Sequence, residues 1–272
     1  MLNVFKDYDQ ISLDSQYNNR ALVPDYQDYF DQWKTWNDAL IADPHIIRNI
    51  KYGDLSRQRM DIQPSKQVKS PVVVFIHGGY WQRMDRSDFT YIFNVFKERN
   101  ITTVVLGYPI CPEVDMQTIV LSVKQGLEWI GQNISLYNGN PTNVKIIGHS
   151  AGGHLAAILS TVHYRPIGIH ITRVLSLSGL FDLLPIQHSF VNGPLKMNVH
   201  TAFALSPINL LPSSDADMII AVGGDESDEY HSQSRTLVET WKPHLKNINL
   251  EIIPRANHFS IVSDFNVLTS IL

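Results

Sequence analysis

The stretch VKIIGHSAGGHLAAILS, residues 144–160, changes period across a single turn. Val144 to Ile147 continue an apolar, strand-forming run, and Ala151 onward is a helix opening on small residues. Between them Gly148-His149-Ser150-Ala151-Gly152 is a G-x-S-x-G pattern. A sharp strand-to-helix turn of this kind holds its serine in a strained backbone conformation, and the flanking glycines leave room for the turn and the neighbouring strand. The start of the helix and the N–H of Ala151 point at the same spot, where negative charge can develop. Glycines that merely tighten a turn, with Ser150 capping a helix, would explain the five residues alone. A strand before and a helix after favour Ser150 as a nucleophile.

Working outward, PVVVFIH, ITTVVLGY, NVKIIGHS, RVLSLSG, DMIIAVGG and LEIIPRA are continuous apolar runs separated by segments of helical period. Alternation of this kind predicts an α/β fold with a mostly parallel central sheet flanked by helices, its strands buried on both faces. Ile119, Val123, Leu127 and Ile130 mark one buried helix face. Leu237, Trp241 and Leu245 mark a second, with Pro243 threatening to shorten it, and Ile261, Phe265, Leu268 and Leu272 a third. IRNIKYGD and RQRMDIQP read as a short strand pair ahead of the main sheet. Residues 1–44 are expected to form an aromatic-rich helical segment over the core. Residues 181–212, with Pro185, Gly193, Pro194, Pro207 and Pro212, break the alternation and are expected to be a small lid insertion. The 272 residues are read as one domain.

A serine hydroxyl needs a base to take its proton, and after an elbow of this type the acid and then the base follow in chain order. His258, in IIPRANHFSIV between the last strand and the last helix, is the candidate base. His149 and His154 are read as structural or supporting groups. The acid belongs just beyond the penultimate strand, where IIAVGGDESDEYHSQSR offers Asp225, Glu226, Asp228 and Glu229. Periodicity leaves Asp225 and Glu226 both open.

Composition narrows the partners. Hydrophobic residues make up 44% and charged residues 18% of the chain, and the net charge is −4, so neither nucleic acid nor an anionic membrane is an expected partner. A small molecule fits better. No signal-peptide layout or membrane-length apolar run occurs, and the lone Cys111 cannot form an internal disulfide, which makes the cytoplasm the expected compartment. Cys111, between Ile110 and Pro112, has no local base and reads as structural. No H-E-x-x-H or Cys/His cluster is present, so neither metal nor organic cofactor is expected. A homodimer is left open.

Taken together, HGGYW at residues 77–81, GHSAGGH, YPICPEV, GGDESDEYHSQS, NHF and the early QYNNRALVPDY resemble the kynurenine formamidase (arylformamidase) branch of the hormone-sensitive-lipase-like α/β hydrolases. The similarity runs over most of the chain and implies the α/β-hydrolase fold. It also implies Ser150 as nucleophile, His258 as base and, three positions after Gly223, Glu226 as acid, where many relatives carry aspartate; Asp225 is the runner-up. The resemblance places an oxyanion hole at the N–H groups of Gly79, Tyr80 and Ala151, with Gly78 letting the loop bend. A strand that stops on two glycines makes sense there, because side chains would block the approach of backbone N–H groups to a reacting oxygen. Tyr80 and Trp81 are expected to border the substrate pocket, with packing of the loop the favoured role of Trp81.

The implied activity is hydrolysis of N-formyl-kynurenine to kynurenine and formate. The alternative is a broader carboxylesterase acting on short-chain or aryl esters. A catalytically silent binding protein is disfavoured because Ser150 and His258 are both present.

Overall fold

The computed structural model describes residues 2–272, apart from the side chain of Pro166. Eight strands form one sheet: β1 (Ile47–Lys51), β2 (Arg59–Gln63), β3 (Ser70–Ile76), β4 (Thr102–Leu106), β5 (Gly139–His149), β6 (Ile171–Leu177), β7 (Asp217–Gly223) and β8 (Ile248–Ile253). Their order is β1-β2-β4-β3-β5-β6-β7-β8. β1 and β2 pair antiparallel, β2 pairs antiparallel with β4, and the remaining contacts are parallel. This is the mostly parallel sheet that the sequence predicts, entered through the expected short strand pair.

Side-chain alternation along the strands divides the interior into two cores. In β3, Val72, Val74 and Ile76 enter one core while Val73 and Phe75 enter the other. The first core also takes α5 (Met116–Asn133), whose Ile119, Val123, Leu127 and Ile130 are all buried, and α6 (Ala151–Ser160). The second takes the short α4 (Ile92–Phe96).

Three sequence expectations are corrected. β8 is an edge strand in which only Ile248 is buried and the other positions are half-buried or exposed, so its apolar run is not buried on both faces. Leu245 lies outside its helix, since α10 (Asp228–Trp241) ends two residues before Pro243; a proline has no N–H to continue the ladder. The C-terminal face is not one helix. Ile261–Ser263 is a 3₁₀ turn, and the Asp264 carboxylate then caps α11 (Phe265–Thr269), accepting the Asn266 N–H at 2.8 Å. That cap resets the phase: Ile261 and Leu268 are buried as expected, but Phe265 and Leu272 are 38% and 40% exposed and Ile271 is buried in their place.

The N-terminal residues form α1 (Gln10–Tyr17), α2 (Asn19–Leu22) and α3 (Tyr26–Asp38). Leu13 and Tyr17 belong to the first core, Val23 and Trp33 to the second, so this segment passes from one face of the sheet to the other. Residues 181–212 hold three short helices, α7 (Leu184–His188), α8 (Asn192–Leu195) and α9 (Val199–Ala204). Gln233 of α10 ties the start of that segment down, its Oε1 accepting the N–H groups of Phe181 and Asp182 at 2.7 and 3.0 Å. Among the described residues no helix is long and apolar enough to cross a membrane.

Candidate active site

The parallel register sets Ile76 beside Gly148 and Gly148 beside Ser176, so the chain segments leaving β3, β5 and β6 meet at one edge of the sheet. Ser150 has φ 56° and ψ −118°, a region that costs a non-glycine residue about 1–3 kcal/mol. Its N–H donates to the carbonyl of Leu177 at 2.8 Å, and all ten residues of α6 behind it are buried. The turn is this tight because α6 presses on β3: a Cβ at Gly152 would lie 2.0 Å from the carbonyl oxygen of Ile76.

His258 stands between Ser150 and Glu226. Its Nε2 is 3.0 Å from Ser150 Oγ, and its Nδ1–H donates to Glu226 Oε2 at 2.7 Å. The Glu226 side chain is 1% exposed and the His258 side chain 6%. The other Glu226 oxygen accepts the Gly223 N–H at 2.8 Å and the Ser178 hydroxyl at 2.5 Å. Asp225, adjacent in sequence, is exposed and donates its N–H to the carbonyl of Ala256. The structure thus corrects the runner-up: Asp225 does not reach the imidazole. Ser178 escaped the sequence reading, although the Ser-Gly pair closing RVLSLSG at a strand end was a local signal.

On the opposite side of Ser150 the loop after β3 runs through left-handed backbone, with φ 105° at Gly79, 51° at Tyr80 and 57° at Trp81. At Gly79 a Cβ would fall 2.2 Å from the carbonyl oxygen of Arg83, so the loop demands glycine there. Among the described residues no acceptor takes the N–H of Gly79, Tyr80 or Ala151. Three unspent donors therefore border the serine.

Beneath this loop, His77 stacks on Tyr108 with ring centroids 4.2 Å apart, and the Tyr108 hydroxyl donates to the carbonyl of His77 at 2.9 Å. Burial lowers the His77 pKa to about 4, so the loop rests on a neutral ring. Trp81 is fully buried and does not line the substrate cavity, which sets aside the expectation that it borders the pocket and agrees with the favoured one, that it packs the loop. Its Nε1–H donates to His154 Nδ1 at 3.3 Å, while His154 Nε2–H donates to the carbonyl of Leu205 at 2.8 Å. One imidazole thus joins the loop, α6 and the 181–212 segment. Burial holds its pKa down at about 4. His149 donates from Nε2 to the carbonyl of His258 at 2.8 Å, and its Nδ1 has no partner among the described residues. Burial, reinforced by the nearby His258, holds it well below the ordinary imidazole range.

Tyr80 does line the cavity. Its hydroxyl donates to the carbonyl of Tyr17 at 2.7 Å and lies 2.9 Å from the Tyr230 hydroxyl, which in turn accepts from Asn19 Nδ2 at 2.9 Å. With the Tyr80 proton already committed, Tyr230 is the donor of that pair. Burial raises both phenols above their ordinary range, so both remain protonated. The Tyr230 ring lies 4.9 Å from that of His258. Tyr17 itself donates to Glu229 Oε2 at 3.0 Å and accepts from Gln233 Nε2 at 2.9 Å. Tyr17, Asn19 and Tyr230 were not singled out as site residues; QYNNR carried only the family resemblance. Cys111 is buried, and burial pushes its thiol up to about 11, which keeps it a poor nucleophile.

The cavity reaching Ser150 and His258 has a volume of about 360 Å³. The N-terminal segment supplies Phe30 and Trp33 to its wall, and the 181–212 segment supplies Phe190, Val191 and Pro194. Such an arrangement can hold an aromatic group beside a hydroxyl nucleophile, its base and a set of unspent donors, which is the equipment of acyl transfer.

Comparison with known proteins agrees. The BD-FAE family model matches residues 60–241. The kynurenine formamidase of Salmo salar is 30% identical over 79% of this chain and 76% of its own length. A Silicibacter sp. crystal structure, provisionally described as a thioesterase, superposes with a TM-score of 0.84 at 27% identity, covering 93% of this chain and 94% of the other. EstE1, a thermophilic carboxylesterase cloned from a metagenomic library, superposes with a TM-score of 0.73 over 92% of this chain and 96% of its own. At 16% identity it speaks for the fold alone. A buried serine elbow on this sheet and a formamidase relative aligned over most of both chains lead to one assignment: the chain belongs to the BD-FAE family and to the kynurenine formamidase family of α/β-hydrolase-fold serine hydrolases.

Proposed function

We propose that this enzyme hydrolyses the formamide of N-formyl-kynurenine in the cytoplasm, with Ser150, His258 and Glu226 as its catalytic triad. The observation that carries the reading is the imidazole of His258 bridging Ser150 Oγ at 3.0 Å and Glu226 at 2.7 Å, beside a cavity to which Phe30, Trp33, Tyr80 and Phe259 present aromatic rings. Ser150 Oγ attacks the formyl carbon while His258 Nε2 takes its proton, and the buried Glu226 carboxylate stabilises the imidazolium. The N–H groups of Gly79, Tyr80 and Ala151 receive the oxyanion, and Gly78 gives the loop its bend. His258 then returns the proton to the leaving arylamine. Water enters, loses a proton to the same imidazole, and releases formate from Ser150. Residues 181–212 act as a lid through Phe190 and its neighbours.

The test is a hydrolysis panel of N-formyl-kynurenine, other N-formyl aromatics and short esters, run with wild type and Ser150→Ala. Turnover of the formamide, with kcat lowered about 10⁵-fold or more in the variant, is the expected result. Ester hydrolysis without formamide hydrolysis would replace this reading with the carboxylesterase one.

A further inference from the structure

The catalytic cavity is electrostatically one-sided. Its wall holds two guanidinium groups, Arg20 from α2 and Arg83 from the loop after Gly79, and no aspartate or glutamate, although the chain carries a net charge of −4. By contrast, Arg57 and Arg86 are paired with Asp85 and, for Arg86, also with Asp61. Among the described residues Arg20 and Arg83 have neither an ion pair nor a side-chain hydrogen bond, and both are exposed at the cavity rim.

The Arg20 guanidinium and the Arg83 main chain are each held in place. The Arg20 guanidinium lies 5.1 Å from the ring centre of Tyr26 and 5.7 Å from that of Phe30. Stacking of this kind fixes the guanidinium while leaving its N–H edge unspent. The main chain of Arg83 folds back on the oxyanion-side loop, its N–H donating to the carbonyl of Gly79 at 3.0 Å. The same wall offers the rings of Phe30, Trp33, Tyr80 and Phe259. A planar apolar group with an anion at its far end would satisfy both features at once, since a guanidinium pairs with a carboxylate through two parallel hydrogen bonds.

We propose that Arg20 and Arg83 are the specificity-determining residues of this cavity, selecting aromatic amides that bear a carboxylate remote from the bond being cleaved. The inference rests on the formamidase reading, whose substrate carries an α-carboxylate. The two charges contact the distant end of the ligand equally in ground and transition states, so they act on KM rather than kcat. Because they are exposed, salt screens them.

The experiment compares kcat/KM for N-formyl-kynurenine and for its carboxamide, which lacks the carboxylate but keeps the α-ammonium and the formamide. It uses wild type, Arg20→Gln, Arg83→Gln and the double variant. Wild type is expected to prefer the acid, and the double variant to lose about five- to tenfold of that preference, mainly in KM. The wild-type preference should shrink as salt is raised to about 0.5 M. An equal loss on both substrates, or an unchanged preference in the double variant, overturns the proposal. If neither formamide is turned over, the formamidase reading fails by itself. Inhibition of p-nitrophenyl acetate hydrolysis by kynurenine and by its carboxamide then decides the arginines: acid-selective inhibition lost in the double variant supports them, and its persistence, or its absence in wild type, overturns them.

Discussion

The elbow at residues 148–152 and the N-terminal segment at residues 10–38 both border the cavity around Ser150, and they are built by opposite means. Around the elbow the backbone does the holding. Ser150 sits in strained left-handed backbone, its N–H is fixed to Leu177, and every residue of α6 is buried. In the N-terminal segment the side chains do it. Of the thirteen residues of α3 only Trp33 is fully buried, yet Phe30 lies 5.4 Å and Tyr29 6.2 Å from the ring of Phe259, next to His258. Asn257 donates to the Tyr29 hydroxyl at 3.0 Å on the other side of the same loop. A reacting oxygen needs placement within a fraction of an ångström, which packed strand ends provide, whereas a pocket wall needs shape and can be assembled from a distant stretch of chain.

If that division holds, substitutions at the strand ends act on kcat and substitutions in the N-terminal segment act on KM and stability. The largest effect is expected at the acid. Glu226→Gln should lower kcat about 10⁴-fold in steady-state assays, while Asp225→Asn should change it less than about twofold because that side chain is exposed. Comparable losses in both would remove Glu226 from the triad. Next comes the oxyanion side. Gly79→Ala places a Cβ against the Arg83 carbonyl in a backbone with φ 105°, and the displaced donors should cost on the order of 100-fold in kcat. A fall confined to KM would mean that this loop binds without stabilising the oxyanion.

In the N-terminal segment, Tyr17→Phe removes the hydroxyl that donates to the buried Glu229 and accepts from Gln233. We expect a loss of about 1–3 kcal/mol in urea unfolding and a raised KM with kcat nearly preserved. A collapse of kcat with stability intact would contradict the division of labour. The smallest effect tests the bridge between the two regions. Burial keeps the His154 pKa at about 4 in the folded protein, below the roughly 6.5 of an unfolded histidine. The unfolded chain therefore binds the extra proton first as pH falls, and stability drops below pH 6.5. Protonation would also place a hydrogen on Nδ1, the atom that accepts from Trp81. Between pH 7 and 5.5, wild type should lose about 1 kcal/mol more stability than His154→Gln. Equal losses would show that this histidine does not carry the linkage.

Local pattern was sufficient for much of this protein. Continuous apolar runs separated by segments of helical period predict a doubly covered sheet, since each strand carries its own burial pattern in its residues. A serine between two glycines at a strand-to-helix junction is likewise a local constraint, because the steric limits act within five residues. Glu226 and Asp225 were not separable in this way. They are neighbours with the same charge, and only the turn after β7 directs one toward the imidazole and the other to solvent. The rephased C-terminal helix was missed because an aspartate cap overrode an apolar spacing that looked continuous.

The sequence by itself determined the sheet, the elbow and the chemical type of the site, because backbone sterics and burial periodicity are properties of short segments. Tertiary structure alone decided the pocket. Tyr17, Asn19, Phe30 and Trp33 meet Tyr80, Tyr230 and Phe259 from more than 200 positions away in several pairs, as Phe30 does Phe259 and Asn19 does Tyr230. It also decided the place of Trp81, which is buried against α6 instead of in the cavity, because His154 of that helix offers the buried acceptor that its N–H requires.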